Sequence, residues 1–262
     1  MPDMPERPSI ADASLSMILA AANAELFIDH LLDRWLKILK SKVRKFEIIL
    51  VDDASTDATV TQAQAWRVKH PQLTVVSTES PHGIGACWRA GLKAAQPNTL
   101  IGFSDFSPDY NPDDFGKMLE VLNQVDLVAG VRAVRASPWT GRSLLERWVF
   151  GIRLTDAACP FKLFRRNVFD HLPVQSRGDF VHTEIVAKAN FLGCILAEVP
   201  VEYHRSGTPA PDPYWKDDMR LVFREPDFGP PPASPELAPS VDPERPLGEA
   251  AVAAEEPEEE VL

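Results

Sequence analysis

The chain has 262 residues, 45% of them hydrophobic, with 27 basic against 38 acidic residues and a net charge of −11. That is enough apolar material for one sizeable core, and the acidic balance excludes nucleic acid as an expected partner. The charge is unevenly placed: from Glu225 onward there are eleven acids and a single base, Arg245, and half of the 24 prolines follow Thr208. Three segments are therefore expected: a flexible N-terminus over 1–13, a folded domain over 14–224, and an acidic Pro/Glu-rich tail over 225–262 that is disordered from about Asp227.

Taken in chain order, strand and helix signals alternate. Ser14–Ala20 reads as a strand, and Asn23–Leu39 carries helical apolar spacing through Leu26, Ile28, Leu31, Leu32, Trp35 and Ile38. Strands at Phe46–Val51, Leu73–Ser77, Thr99–Phe103 and Asp126–Val131 are separated by helices at Ala58–His70, Gly83–Ala95 and Pro112–Asn123. The second half is less regular. A helix is expected at Ser143–Ile152, a short strand at Phe161–Phe164, a helix at Glu184–Leu192 and a strand at Ile195–Tyr203. This alternation predicts an α/β fold, Rossmann-like, with a mostly parallel sheet and helices on both faces.

The apolar run Phe46–Val51 ends in Asp52-Asp53-Ala54-Ser55-Thr56-Asp57. A buried parallel strand delivers side chains to its C-terminal edge in this way, and ligands of open α/β sheets bind at that edge. Carboxylates placed there can accept hydrogen bonds from the N–H and hydroxyl groups of a ligand. Asp57 can cap the next helix. Gly83 and Gly85, before an alanine-rich helix, either bring a helix N-terminus to an anion or make a plain turn. Arg132, Arg135 and Arg142 follow the fifth strand, where they either meet phosphate or form a solvated basic face. Trp139, Leu144, Leu145, Trp148, Val149 and Phe150 form an aromatic stretch that suits core packing or contact with a lipid. Cys87, Cys159 and Cys194 lack metal-ligand spacing and read as free thiols. No stretch reads as a signal peptide or a membrane span, so the expected location is cytoplasmic, with contact at the inner face of a membrane allowed.

Five segments, in order, carry a resemblance. They are Ala20-Ala21-Ala22-Asn23-Ala24-Glu25, Asp52–Asp57, Gly83-Ile84-Gly85 with Arg89-Ala90-Gly91-Leu92, Asp156-Ala157-Ala158-Cys159-Pro160-Phe161-Lys162, and Glu198–Val201 with Arg205-Ser206-Gly207. Together they resemble the family-2 glycosyltransferases of the GT-A fold, in particular the polyprenyl-phosphate branch similar to dolichol-phosphate mannose synthase. The family's Pro-Ala-Tyr-Asn-Glu-Glu, Asp-Asp-Gly-Ser-Thr-Asp and Asp-x-x-Cys-Gly-Phe-Lys patterns are departed from at Ala20, Ala22, Ala24, Ala54 and Pro160, and Pro81 stands where Asn is usual.

The resemblance implies a nucleotide-sugar donor, a lipid-phosphate acceptor and an inverting transfer. It implies donor contacts at Ala20, Asn23, Glu25, Asp52, Asp53, Gly83, Gly85 and Arg132, and catalytic roles for Asp105, Glu184 and Arg205. It also implies Mg²⁺ or Mn²⁺ held by an Asp-x-Asp motif after the fourth strand, and here that motif has lost a carboxylate. In one register Asp105 and Ser107 fill it; in the other, Phe103 and Asp105 do. Asp109 is the further candidate ligand beside Asp105. The alternative expectation is a non-catalytic nucleotide-sugar-binding or scaffold protein.

Overall fold

Seven strands form one sheet in the order β3-β2-β1-β4-β6-β5-β7. The computed structural model describes residues 13–97, 99–132, 147–205 and 212–230. Arg135, Arg142, Trp139, Leu144, Leu145, the Ser206-Gly207 pair, residues 1–12 and the tail beyond Pro230 lie outside the described residues.

The strands are β1 (Ser14–Ala21), β2 (Lys45–Asp52), β3 (Leu73–Ser77), β4 (Leu100–Asp105), β5 (Leu127–Arg132), β6 (Lys162–Phe164) and β7 (Leu196–Val201). All pair in parallel except β6, which runs antiparallel between β4 and β5. The helices are α1 (Ile28–Lys42), α2 (Thr59–Lys69), α3 (Ile84–Ala94), α4 (Phe115–Leu122), α5 (Val181–Phe191) and α6 (Trp215–Arg224). Alternation along β1 sets the two layers. Leu15, Met17 and Leu19 face α1 and α4, around Trp35, Phe115 and Met118. Ile18 faces α3 and α5, around Trp88, Phe103, Val181 and Ile185. The expected α/β architecture with helices on both faces is the one found.

Several boundaries differ from expectation. Helix α1 starts at Ile28, not Asn23, because Asn23 sits at φ 50° and its turn is bonded to the turn after β2. Helix α5 starts at Val181, so Glu184 lies inside its first turn rather than opening it. Helix α6 has no counterpart among the expected elements, although it lies within the segment 14–224 expected to fold. Beyond it, Phe228 stacks on Phe191 at 5.0 Å and Asp227 N–H donates to Gln175 Oε1 at 2.8 Å, past the boundary expected at 224. Within the aromatic stretch, Trp148 is exposed, while Phe150 packs on Phe180 and Phe223.

Topology places the functional edge. Strand β1 has neighbours on both sides whose connections leave in opposite directions, which opens a crevice at the C-terminal ends of β1, β2 and β4. There Ala21 pairs with Asp52, and Ala20 pairs with Asp105.

Ala54 stands at φ 55°, a left-handed conformation that an alanine side chain resists. Ala54→Gly should raise stability by about 0.5–1 kcal/mol, relief of that strain exceeding the added entropy of the unfolded chain. Denaturant melts measure it; an unchanged or lowered midpoint would show that the turn carries no strain.

Candidate active site

Two turns interlock at the edge. Asn23 N–H donates to Ser55 Oγ at 2.8 Å, and Asn23 Oδ1 accepts from Thr56 N–H at 2.9 Å. Glu25 Oε2 accepts from Ala58 N–H at 2.9 Å, while Glu25 N–H donates to Asp57 at 3.1 Å. Asp57 also takes Thr59 N–H at 3.0 Å, so α2 is capped by Asp57 and Glu25 together. Asp52 is buried and accepts from the N–H and hydroxyl of Ser55. Asn23, Glu25 and Asp52 are thus gathered in one place, each already bonded within the scaffold.

Asp53 reaches the next loop. Its two oxygens accept from His82 N–H at 2.8 Å and Gly83 N–H at 3.0 Å. The glycine pair has a packing reason. Gly85 N–H donates to Arg177 O at 2.9 Å, and a Cβ on Gly85 would lie 1.9 Å from Ser176 O. The N-terminus of α3 is therefore closed against the segment 175–179.

That segment is fastened by carboxylates that sequence reasoning passed over. Asp218 accepts from Arg177 and Gly178 N–H, each at 2.8 Å, and Asp212 accepts from Asp179 N–H at 2.8 Å. Glu184 is fully buried and holds Gln175 and Ser176 N–H at 2.8 Å, with Lys188 Nζ at 2.7 Å. Its oxygens are engaged by backbone and lysine, which places Glu184 as a brace for this segment. The contacts from Asp212 and Asp218 span more than thirty residues, so no local pattern announces them.

Asp105 ends β4. Among the described residues nothing donates a hydrogen bond to its carboxylate, unlike those of Asp52, Asp53, Asp57, Asp212, Asp218 and Glu184. Burial and the nearby Asp179 push its carboxyl up to about 7, with Asp109 adding to the rise and Arg132 and Lys162 opposing it. The Cys87 thiol registers the same convergence, pushed up to about 12 by burial and by Asp53, Asp105 and Asp52. Phe103 is stacked in the core on Trp88 at 3.8 Å, so the register using Phe103 offers no second side chain at the edge. Ser107 Oγ accepts from Asp109 N–H at 3.2 Å. Among the described residues, no three His, Cys, Asp or Glu side chains are grouped to hold a metal ion.

Across from Asp105 lies a cationic side. Arg132 makes a two-pronged contact with buried Asp156, Nε and Nη2 each at 2.8 Å, and its guanidinium lies 5.6 Å from the Tyr203 ring centre. Burial works against that charge, but the Asp156 hydrogen bonds more than offset it and hold Arg132 above its ordinary value. Tyr203 bridges Tyr110, and His204 N–H donates to Asp109 O at 2.9 Å, so exposed Arg205 follows directly beside the Asp109 turn. Lys162 is fully buried on β6, and burial pulls its ammonium down to about 8.

A family model described as glycosyl transferase family 2 matches residues 16–183. The chain is 28% identical over 170 residues to a dodecaprenyl-phosphate galacturonate synthase of Rhizobium johnstonii, covering 61% of this chain and 50% of that protein. It is 24% identical over 182 residues to an undecaprenyl-phosphate mannosyltransferase of Micrococcus luteus, covering 63% and 74%. It is 28% identical over 244 residues to a dolichyl-phosphate beta-glucosyltransferase of Drosophila melanogaster, covering 82% and 73%. The chain thus spans half the length of the first of these and about three quarters of the other two. Among solved structures, glucosyl-3-phosphoglycerate synthase of Mycobacterium tuberculosis superimposes with a TM-score of 0.60 at 22% identity, covering 83% of this chain and 78% of that one. That likeness is one of fold.

A carboxyl raised from its ordinary 3.8 to about 7 costs the folded state stability once ionised. The cost is absent below the unfolded value, grows as pH rises toward about 7, and stays constant above. Asp105→Asn should therefore raise the melting temperature at pH 8, with the gain vanishing toward pH 4. A gain independent of pH would contradict this electrostatic account.

Proposed function

The chain belongs to glycosyl transferase family 2, and on that premise we propose that it moves a sugar from a nucleotide-sugar donor to a polyprenyl phosphate, with inversion at the sugar carbon. The acceptor class is supported by the names of the three relatives, which all act on prenyl phosphates. The observation that carries the reading is the Asp105 carboxylate, left without a donor among the described residues at the crevice beside β1. The alternative of a non-catalytic binder gains no support from relatives named as transferases.

In this reading the nucleoside lies over the ends of β1 and β2. Asp53 accepts two backbone N–H groups and keeps lone pairs for ribose or base donors. The residues present suit a divalent cation: Asp105 is a hard oxygen donor whose ionisation is opposed by Asp179 and Asp109, and a cation would relieve that repulsion. Mg²⁺ or Mn²⁺ held by Asp105, with Asp109 as the second candidate ligand, would supply positive charge for the departing diphosphate. Solved structures of the Mycobacterium tuberculosis enzyme were obtained with Mn²⁺ and UDP-glucose, which makes that pair a sensible first probe.

The acceptor phosphate is already anionic, so it needs little help from a general base. One of its oxygens forms the new bond to the anomeric carbon as the bond from that carbon to the diphosphate breaks, and the electron pair leaves with the nucleoside diphosphate. Arg132, which the resemblance implied as a donor contact, retains N–H groups beyond the two that Asp156 takes; in this reading it instead joins Arg205 on the cationic side that receives the acceptor phosphate. A lipid acceptor brings the protein to a membrane surface; among the described residues no helix is long and apolar enough to cross one.

Radiolabelled nucleotide sugars, a polyprenyl phosphate in detergent and Mn²⁺ test the reading. The wild type should produce labelled lipid with at least one donor. Asp105→Ala should cut that rate by about 10²–10³-fold, as loss of charge stabilisation at a reacting centre does. Asp53→Ala should weaken donor binding about tenfold, the scale of one lost charge-assisted hydrogen bond, while leaving acceptor affinity unchanged. Product from no donor, or full turnover by Asp105→Ala, would overturn it.

A further inference from the structure

Lys162 is a buried cation whose partners the chemistry above does not use. Its side chain is fully buried, and among the described residues no carboxylate lies within ion-pair distance of its Nζ. Two other charges have carboxylate partners, Lys188 with Glu184 and Arg132 with Asp156. Lys162 Nζ instead donates to two backbone carbonyls, Ala157 O at 3.0 Å and Cys159 O, while buried Arg165 also donates to backbone carbonyls, those of Leu122, Asn123 and Val125. Burying an ammonium whose direct partners are carbonyls, with Asp156 and Asp105 acting on it only through space, is expensive, and an apolar side chain at this place on β6 would avoid the cost. What the ammonium gains is control of a turn. Residues 156–161 leave the edge at Asp156 and re-enter the sheet at β6, and within them Cys159 N–H donates to Asp156 O at 3.1 Å. Asp156 N–H is held by Glu198 Oε1 at 2.9 Å. The carboxylate so placed is the one that grips the Arg132 fork.

We propose that Lys162 is a positioning residue for Arg132: by tying down the carbonyls of Ala157 and Cys159 it fixes Asp156, and Asp156 fixes the guanidinium on the acceptor side. The chain of contacts runs from Nζ to the turn, from the turn to a buried carboxylate, and from that carboxylate to Nε and Nη2. Lys162 touches no substrate in this account. Removing its donors leaves two buried carbonyls unsatisfied, and the turn must reopen to hydrate them. The functional consequence rests on the reading of Arg132 given above; the structural one does not.

The test has two arms that fail separately. In ¹⁵N-labelled protein the Nε–H of Arg132 should exchange slowly, because Asp156 accepts it at 2.8 Å. In Lys162→Met that exchange should quicken at least tenfold. Arg165 is the internal control, since its Nε–H is bonded to Val125 O at 3.1 Å, away from the turn, and its exchange should not change. Unchanged protection at Arg132 overturns the proposal whether or not the protein transfers sugar. Equal loss at Arg132 and Arg165 overturns it too, because that marks general loosening. If Lys162→Met does not fold, Lys162→Arg decides: it keeps donors for both carbonyls, and loss of Arg132 protection in that folded variant contradicts the proposal. In the kinetic arm, with citronellyl phosphate as acceptor, Lys162→Met should raise the acceptor KM about tenfold and leave the donor KM unchanged. It should add nothing further in an Arg132→Ala background. Additive effects would place Lys162 outside the Arg132 pathway. An inactive wild type would count against the proposed transfer alone.

Discussion

A carboxylate sunk at the end of a strand costs free energy unless something donates to it, and Asp105 has no donor among the described residues. The acids around it are settled. Asp52 is bonded to Ser55, Asp53 to the backbone of 82–83, Asp57 to Thr59, and Glu184 to Lys188 and two N–H groups. Those pairings build the floor and walls of the crevice. They leave the Asp105 carboxylate beside them without a donor among the described residues. The rise of its carboxyl to about 7 comes first from burial and then from the charges of Asp179 and Asp109, and a bound cation is the partner that would reverse it.

The opposite side is organised by buried charge of the other sign. Asp156 and Arg132 form a closed pair under Tyr203, and Lys162 holds the turn that carries Asp156. A buried pair of this kind adds little net stability against an apolar replacement, but it fixes the direction of a guanidinium well. The sheet thereby sets an acidic edge on β1, β2 and β4 beside a cationic one at the end of β5 and the Asp109–Arg205 turns. Charge separated in this way suits a reaction that brings a phosphate up to a sugar and lets a diphosphate depart.

Much of the sheet could be read from sequence because period and length agree. The run Phe46–Val51 is too short and too apolar for a surface helix, and Leu31, Leu32 and Trp35 recur at helical spacing. The acidic edge followed from Asp52 and Asp53 closing that run. Other features could not be read. Gly83 and Gly85 read equally as an anion turn or a plain turn, and neither reading showed their need for room against Ser176 and Arg177, which are ninety residues away in the chain. Asp179, Asp212 and Asp218 act through contacts across tertiary distance, and no periodicity encodes those. Helix α6, inside the segment expected to fold, was not read as a helix because prolines crowd its start, although its Leu221, Val222 and Phe223 are ordinary helix residues. For Arg132 the sequence showed only a base after a strand; its buried partner is an acid that appears after a long connection.

The most direct test of where the chemistry happens is a crystal structure of the protein with Mn²⁺ and the nucleotide sugar that most raises its melting temperature. The account predicts the nucleoside over the ends of β1 and β2 beside Asp53, the diphosphate at the end of β4, and metal density bonded to Asp105. Nucleotide bound elsewhere on the molecule, or at this edge with Asp105 turned away from both metal and diphosphate, would contradict it.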